Sequence, residues 1–195
     1  FNVARFASQF EIPEDLETAP GNLAIEDKWI LAEFNATMDT VKTAWENLDI
    51  YTATQALKTF GTGVLPSHYL EMVKSRLYDD DVAASWTLHR IVRDFMSAFT
   101  PVCPFFTHHI SESIYGKSAV DVHAFPAPAE PSVYLDTEEG DRLRNLSAAV
   151  QTFNGETWSS KKEQGISLNQ PVSGIEIPEE LLGFTAILTR MHHLE

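Results

Sequence analysis

Apolar residues recur at helical spacing along most of the chain. In the clearest stripe they lie three or four residues apart, which predicts one long helix with a face toward a core. The stripe consists of Ile30, Phe34, Met38, Val41, Trp45 and Leu48. Asn22 is the expected N-cap of this helix, and Glu26 and Asp27 suit the positive end of its dipole.

Four further helical patterns flank this stripe. We predict the end of a helix over residues 1–10, a loop over 11–22, and helices over roughly 50–60, 69–78 and 82–99. The helical pattern is expected to break between 50–60 and 69–78, at Gly61, Gly63 and Pro66. The run Asp79–Asp81 is expected to begin the helix that follows it.

The stretch "FMSAFTPVCPFFTHHISESIYG", residues 95–116, combines two prolines with two histidines. Pro101 is expected to end one helix and Pro104 to occupy the first turn of the next, where its missing N–H costs little. His108 and His109 point about 100° apart on a helix, which disfavours a shared metal ion. We therefore predict a helix–loop–helix joint with no metal site.

The pattern changes after residue 120. The proline-rich residues 120–136 indicate an extended linker, and a last long helix is expected from Thr137 onward. The segment "GISLNQPVSGIEI" suggests short strands, and Pro178 with two following acids indicates a helix start. The predicted fold is mainly α, a helical bundle over 1–127, with a linker, a long helix and a small α+β C-terminal appendage over 128–195.

Charge and composition narrow the function. The 195 residues have a net charge of −14, which argues against binding a polyanion by bulk attraction. No stretch approaches the ~18 apolar residues of a membrane span. The single cysteine, Cys103, fits a reducing cytoplasm. Because the chain opens at Phe1 without a methionine, we expect further residues upstream.

The sequence contains no recognisable catalytic signature. It has no G-x-S-x-G elbow and no phosphate-loop or dinucleotide fingerprint, so we predict no catalytic residue and no cofactor on this chain. The basic residues stand beside aromatic ones in places, as Arg5 does beside Phe6, and this pairing can hold an unstacked base and its phosphate. Other candidates for such a role are Lys74, Arg76, Arg90, Arg93, Lys161 and Lys162.

Four motifs, in order, resemble class I aminoacyl-tRNA synthetases. "NVARF" resembles the N-x-x-R-F helix that leaves their catalytic core, and "SHYLEMVKSRLY" resembles their W-Y-L-E-x-x-K helix. The stretch from "LHRIVRDF" to "SAVDVHAFP" resembles the next motif. "SSKKEQGISLNQP" is similar to a segment near the end of archaeal-type valyl-tRNA synthetases, whereas isoleucyl and leucyl enzymes share only the first three motifs.

This resemblance implies an anticodon-binding helical bundle whose partners are the anticodon loop of a tRNA and the catalytic domain of the same parent chain. In relatives, the residues that match Arg5, Phe6 and Leu70 lie at the anticodon, and Asn2, Tyr69 and Lys74 are their neighbours here. The family's HIGH and KMSKS signatures are absent. The resemblance therefore implies an inactive fragment of a parent that uses ATP and Mg to attach an amino acid to tRNA, and the fourth motif favours valine.

Three alternatives remain open at the level of sequence, and the last of them is a metal-dependent hydrolase built on His108 and His109. In the first alternative, the parent is an isoleucyl- or leucyl-tRNA synthetase. In the second, the chain is a helical protein-interaction module, which the acidic composition and the lack of a continuous basic stripe favour.

Overall fold

Helices make up most of the structure, a computed structural model that describes residues 1–116 and 137–195. The α-helices are α1 (Asn2–Ala7), α2 (Ile25–Glu46), α3 (Ile50–Thr59), α4 (Leu70–Tyr78), α5 (Val82–Phe99), α6 (Pro104–Tyr115), α7 (Thr137–Asn145), α8 (Ser147–Glu163) and α9 (Thr185–His192). A π-helix (Phe60–Tyr69) joins α3 to α4, and a 3-10 helix (Glu179–Phe184) precedes α9. The mainly helical class predicted from sequence is confirmed.

The long helix α2 forms as predicted, but both of its ends differ. Its N-cap is Ala24 rather than Asn22, and the Asp27 side chain accepts a hydrogen bond from the Ala24 N–H at 3.1 Å. Leu48 lies beyond the last turn with a φ of 59° and is 84% exposed. The sequence pattern placed Leu48 on the buried stripe because its spacing fits a helix, but the helix has already ended.

The predicted interruption at Gly61, Gly63 and Pro66 is wrong, because the chain continues as a π-helix. The buried residues of this segment are Phe60, the pair Val64 and Leu65, and Tyr69. The pair lies four and five residues from Phe60 and from Tyr69, which fits the wider turn. A Cβ on Gly61 would lie 2.7 Å from the Phe95 ring, so any larger residue here would have to displace that ring for the π-helix to rest on α5. The helix therefore widens here instead of stopping.

The joint between α5 and α6 agrees with the sequence prediction. The Asp81 side chain caps α5 by accepting from the N–H groups of Ala83 and Ala84. The helix ends at Phe99, two residues before Pro101, and α6 begins at Pro104. His108 lies 3.6 Å from Glu112 on the same helix. Within the described ranges, no three His, Cys, Asp or Glu residues lie close enough together to hold a metal ion.

The C-terminal residues correct the predicted appendage. No strand forms within residues 1–116 and 137–195, and Val172 makes only an isolated parallel bridge with Leu194. The α+β unit is therefore not supported, since the segment around Ile175 finds no partner strand. The expected last helix is divided into α7 and α8 at Leu146. The predicted linker, 120–136, and the predicted boundary at 127 lie outside the described residues.

One hydrophobic core joins the helices from both ends of the chain. It is centred on large side chains such as Trp29, Trp86 and Phe60, which are at most 2% exposed. The C-terminal helices contribute to the same cluster through Leu143, Leu181, Phe184 and others. In the described part of the chain, no helix is long and apolar enough to cross a membrane.

A buried ion network ties the start of α2 to α4 and α5. Asp27 is fully buried, and its carboxylate accepts from the Tyr69 hydroxyl at 2.8 Å and from the Arg76 guanidinium at 2.8 Å. Arg76 also pairs with Glu26 and with Asp81, each at 2.9 Å. Burial raises the pKa of the Glu26 carboxyl. Arg76 is the counter-ion that offsets the cost of burying the carboxylates of Glu26 and Asp27 in the bundle.

A second polar network ties the π-helix to the C-terminal helices. Asn154 on α8 donates from Nδ2 to His68 Nδ1 at 3.1 Å and accepts from His192 Nε2 at 2.9 Å. Lys161, which is fully buried, donates to the carbonyl oxygens of Leu168 and Gln170 and closes the loop after α8. These contacts hold α8 and α9 against the segment that leads into α4.

Replacing Arg76 tests the first network. The Arg76→Met substitution leaves two buried carboxylates without their cation, so we expect a loss of about 3–5 kcal/mol in the free energy of unfolding. Urea unfolding followed by circular dichroism measures it. The control is Lys74→Met, which breaks an exposed ion pair with Glu71 and should cost about 0–1 kcal/mol. Equal losses for the two variants would contradict the role assigned to Arg76.

Lowering the pH tests the polar network around Asn154. Burial lowers the pKa of His192 to about 4, and burial also lowers the pKa of His68. Nδ1 of His192 has no hydrogen-bond partner among the described residues. The unfolded state therefore binds a proton at each histidine more readily than the folded state does. The free energy of unfolding is highest above about pH 6.5 and falls as the pH drops toward 4, with a contribution of roughly 3 kcal/mol from His192.

The pH dependence of urea unfolding between pH 7 and 4 measures this loss. His192→Gln should flatten the curve, whereas His109→Gln, at an exposed position on α6, should leave it unchanged. An unchanged slope in His192→Gln would show that other groups cause the acid sensitivity.

Candidate nucleic-acid interface

The candidate interface begins at α1, which carries Arg5 and Phe6. Arg5 is exposed and forms no ion pair within the described residues. Phe6 is half-buried, with its ring 5.0 Å from Phe10 and 6.4 Å from Tyr78, both in edge-to-face geometry. The two side chains expected at an anticodon therefore lie at the surface, and the aromatic one is held in place by its neighbours.

Phe6, Phe10 and Tyr78 form a cluster that we call the aromatic patch. Phe10 and Tyr78 lie 5.6 Å apart, and Tyr78 is 64% exposed. Edge-to-face packing fixes the three rings relative to one another while much of the Tyr78 surface stays open to solvent. Such a surface can stack on an unpaired base, and Arg5 beside it can bind a phosphate or a base edge.

The structure separates Leu70 and Tyr69 from this patch. Leu70 is 6% exposed and Tyr69 is completely buried, with its hydroxyl bound to Asp27. Leu70 also begins α4, about 12 Å along the axis from Tyr78 at its other end. Both side chains lie in the core, so neither belongs to the surface around the aromatic patch, and a role for Leu70 at the anticodon stays a prediction.

Asn2 and Lys74 are accessible. Asn2 is exposed at the first position of α1, and Lys74 is half-exposed on α4 in an ion pair with Glu71. The pairing reduces the charge that Lys74 offers to a phosphate.

Most of the other candidate cations are engaged inside the protein. Arg76 is held by the buried network and Lys161 by two carbonyl oxygens. Arg90 pairs with Asp94 at 2.6 Å and with Glu17 at 3.0 Å, and Arg93 binds the same two carboxylates. These residues stabilise the bundle and do not form a basic surface. Lys162 alone among the C-terminal candidates is exposed.

Tyr78 is the interface residue that the sequence analysis missed. Its position at the end of the "SHYLEMVKSRLY" helix marked it as a helix terminus only. An exposed aromatic at a helix end is a weak signal by itself, and it acquires meaning only once the fold brings α1 against it.

Comparison with known proteins identifies the kind of domain. The family model described as the anticodon-binding domain of tRNA ligase matches residues 27–177. Among curated proteins, the chain is 33% identical over 174 residues to a valine--tRNA ligase of Saccharolobus solfataricus, covering 89% of this chain and 20% of that protein. It is 34% identical over 185 residues to a valine--tRNA ligase of Methanothrix thermoacetophila, covering 93% and 20%.

A third relative shows the same coverage. The valine--tRNA ligase of Aeropyrum pernix is 30% identical over 186 residues, which is 91% of this chain and 22% of the relative. The chain thus spans about a fifth of the length of these curated relatives.

The placement of Tyr69 gives a prediction that separates packing from binding. Tyr69→Phe removes the hydroxyl that satisfies the buried Asp27, so the free energy of unfolding should fall by about 1–3 kcal/mol. Thermal or urea unfolding measures it against Tyr51→Phe, which removes a hydroxyl from a residue 75% exposed and should change stability by less than about 0.5 kcal/mol. An unchanged stability in Tyr69→Phe would argue against the core role.

Proposed function

Because the chain belongs to the family of anticodon-binding domains of tRNA ligases, we propose that it recognises the anticodon loop of a tRNA. Anticodon bases are unpaired and can be turned outward, which suits stacking on an aromatic side chain. The observation that carries the proposal is that the exposed Arg5 lies on α1 next in sequence to Phe6, whose ring belongs to the aromatic patch. A burial of this pair inside the bundle would have left no route for a base.

The proposed parent is a valine--tRNA ligase that attaches valine to its tRNA with ATP and Mg. The support is the similarity to three archaeal proteins of that name. This chain, which lacks the HIGH and KMSKS signatures, would supply tRNA binding and no catalytic residue or cofactor site. The catalytic domain of the parent would be its partner in the same polypeptide, and a cytoplasmic location fits the single cysteine.

The net charge of −14 limits how the domain can bind. Since the cations named above are mostly paired or buried, few can neutralise phosphates, and the affinity must come mainly from stacking, worth roughly 1–3 kcal/mol per base. Contacts from the rest of the parent would supply the remaining affinity for the whole tRNA.

We therefore expect the 195-residue chain to bind valine tRNA weakly, with a shallow dependence on salt. Neutralising at most three phosphates gives a slope of log K against log salt no steeper than about −2. Gel-shift or anisotropy titrations at several salt concentrations measure it. Tight binding with a steep slope would contradict the proposal.

Arg5→Gln and Phe6→Leu should each weaken this binding, Phe6→Leu by about 5- to 100-fold because a stacking surface is lost. The corresponding variants of the parent should lose aminoacylation activity while they stay folded, with unchanged thermal unfolding for Arg5→Gln and a small loss of stability for Phe6→Leu, whose ring packs on Phe10 and Tyr78. A protein-interaction module predicts no effect of either substitution on tRNA binding or aminoacylation.

A further inference from the structure

The exposed face of α4 continues the aromatic patch. Glu71, Lys74, Ser75 and Tyr78 lie at spacings that place them on one side of the helix, and all are exposed or half-exposed. The opposite side, which includes Leu70, Val73 and Leu77, is buried in the core. The helix thus presents one polar strip with Tyr78 at its end.

A cation from the far end of the chain joins this strip. Arg190 on α9 is exposed, and its Nη1 lies 3.5 Å from the Ser75 hydroxyl, at the outer limit of a hydrogen bond. No carboxylate lies within ion-pair distance of Arg190 in the described part of the chain. Ser75 precedes Tyr78 by one turn, about 4.5 Å along the axis. The guanidinium therefore lies on the side of α4 that carries the exposed ring.

The charges along α4 determine on which side of Tyr78 a phosphate can bind. Asp79 and Asp80 follow Tyr78 and are exposed, so a phosphate is repelled beyond that end. On the other side of Tyr78, Lys74 and Arg190 carry two positive charges against the single carboxylate of Glu71. This is a local positive region on a protein whose net charge is −14.

From this arrangement we infer that α4 and Arg190 hold the sugar-phosphate backbone of single-stranded RNA beside a base stacked on Tyr78. The inference rests on the proposed function and extends it, since it adds Tyr78 and Arg190 to the binding residues. Arg190 binds a phosphate, and Tyr78 supplies the stacking surface next to it. Glu71 weakens phosphate binding at the strip because its carboxylate is paired with the Lys74 ammonium.

Three substitutions in the 195-residue chain test the strip, with a fluorescein-labelled anticodon stem-loop of valine tRNA as the probe. Tyr78→Leu keeps apolar contact with Phe6 and Phe10 and should weaken binding about 5- to 100-fold with an unchanged salt slope. Arg190→Gln should make the salt slope shallower by about 0.7, as expected for one lost phosphate contact. Glu71→Gln should strengthen binding because it frees Lys74.

Lys42→Gln is the matched control. Lys42 is an exposed cation on α2, about 24 Å along that helix from Glu26, which contacts α4 through Arg76. Its loss removes the same charge as Arg190→Gln and should leave both affinity and slope unchanged. Melting curves of the Glu71, Arg190 and Lys42 variants should match the wild-type curve, because these side chains lie at the surface. Tyr78→Leu should still melt as a folded protein, although it loses the ring contacts with Phe6 and Phe10.

The outcomes separate this inference from the proposed function. If Arg5→Gln weakens binding while Tyr78→Leu and Arg190→Gln bind like the wild type, the strip is wrong and anticodon recognition stands. If Lys42→Gln and Arg190→Gln act alike, the effect is bulk charge and the strip is also wrong. If the wild-type chain fails to bind the stem-loop, both proposals are overturned.

Discussion

The structure depends on one buried carboxylate, that of Asp27. A charged group without solvent must find both a counter-ion and hydrogen-bond donors. Arg76 and Tyr69 satisfy it, and they belong to α4 and to the π-helix before it. Because Arg76 also pairs with Asp81, the N-cap of α5, a single cluster fixes four segments relative to one another. The rotation of α4 about its axis follows from this pairing: with Arg76 directed at α2, the side of the helix that holds Tyr78 is left to the solvent.

The same principle explains how an acidic domain can serve an RNA-binding family. Its cations are not spread over the surface, since Arg76 and Arg90 neutralise carboxylates within the bundle. The acids outnumber the bases by 28 to 14, so a uniform basic surface is impossible and any contact with phosphate must be local. Binding of this kind gains its energy from aromatic stacking, which salt does not screen, and uses a few guanidinium groups for orientation. An acidic body also disfavours non-specific attachment to other nucleic acids.

Much of this fold could be predicted from spacing alone, because amphipathic helices leave a strong periodic signal. The α5–α6 joint was predictable since Pro101 and Pro104 act through local geometry. The π-helix was not, because glycine and proline are ordinary helix-breaking signals and only the close approach of Phe95 shows why Gly61 is there. The strands predicted near Ile175 failed because alternation does not supply a partner strand. For the candidate site, Arg5 and Phe6 could be named from their motif, and the structure leaves Arg5 exposed and Phe6 half-buried. Tyr69 and Leu70, which belong to a separate motif, lie in the core. Arg76 looked like a surface cation because its partner, Asp27, is 49 residues away in the sequence.

The C-terminal helices matter to the interface through the π-helix. A π-helix is marginal by itself, since its wide turn packs poorly around the axis and few sequences favour it. Here its inner face is held by the core, and its last turn is held by Asn154, which joins His68 to His192 on α9. The contact that places α9 beside the π-helix also brings Arg190 to Ser75 on α4. The polar network around Asn154 and the exposed cation on α9 are thus two parts of one arrangement, in which residues more than a hundred positions apart build the surface next to Tyr78.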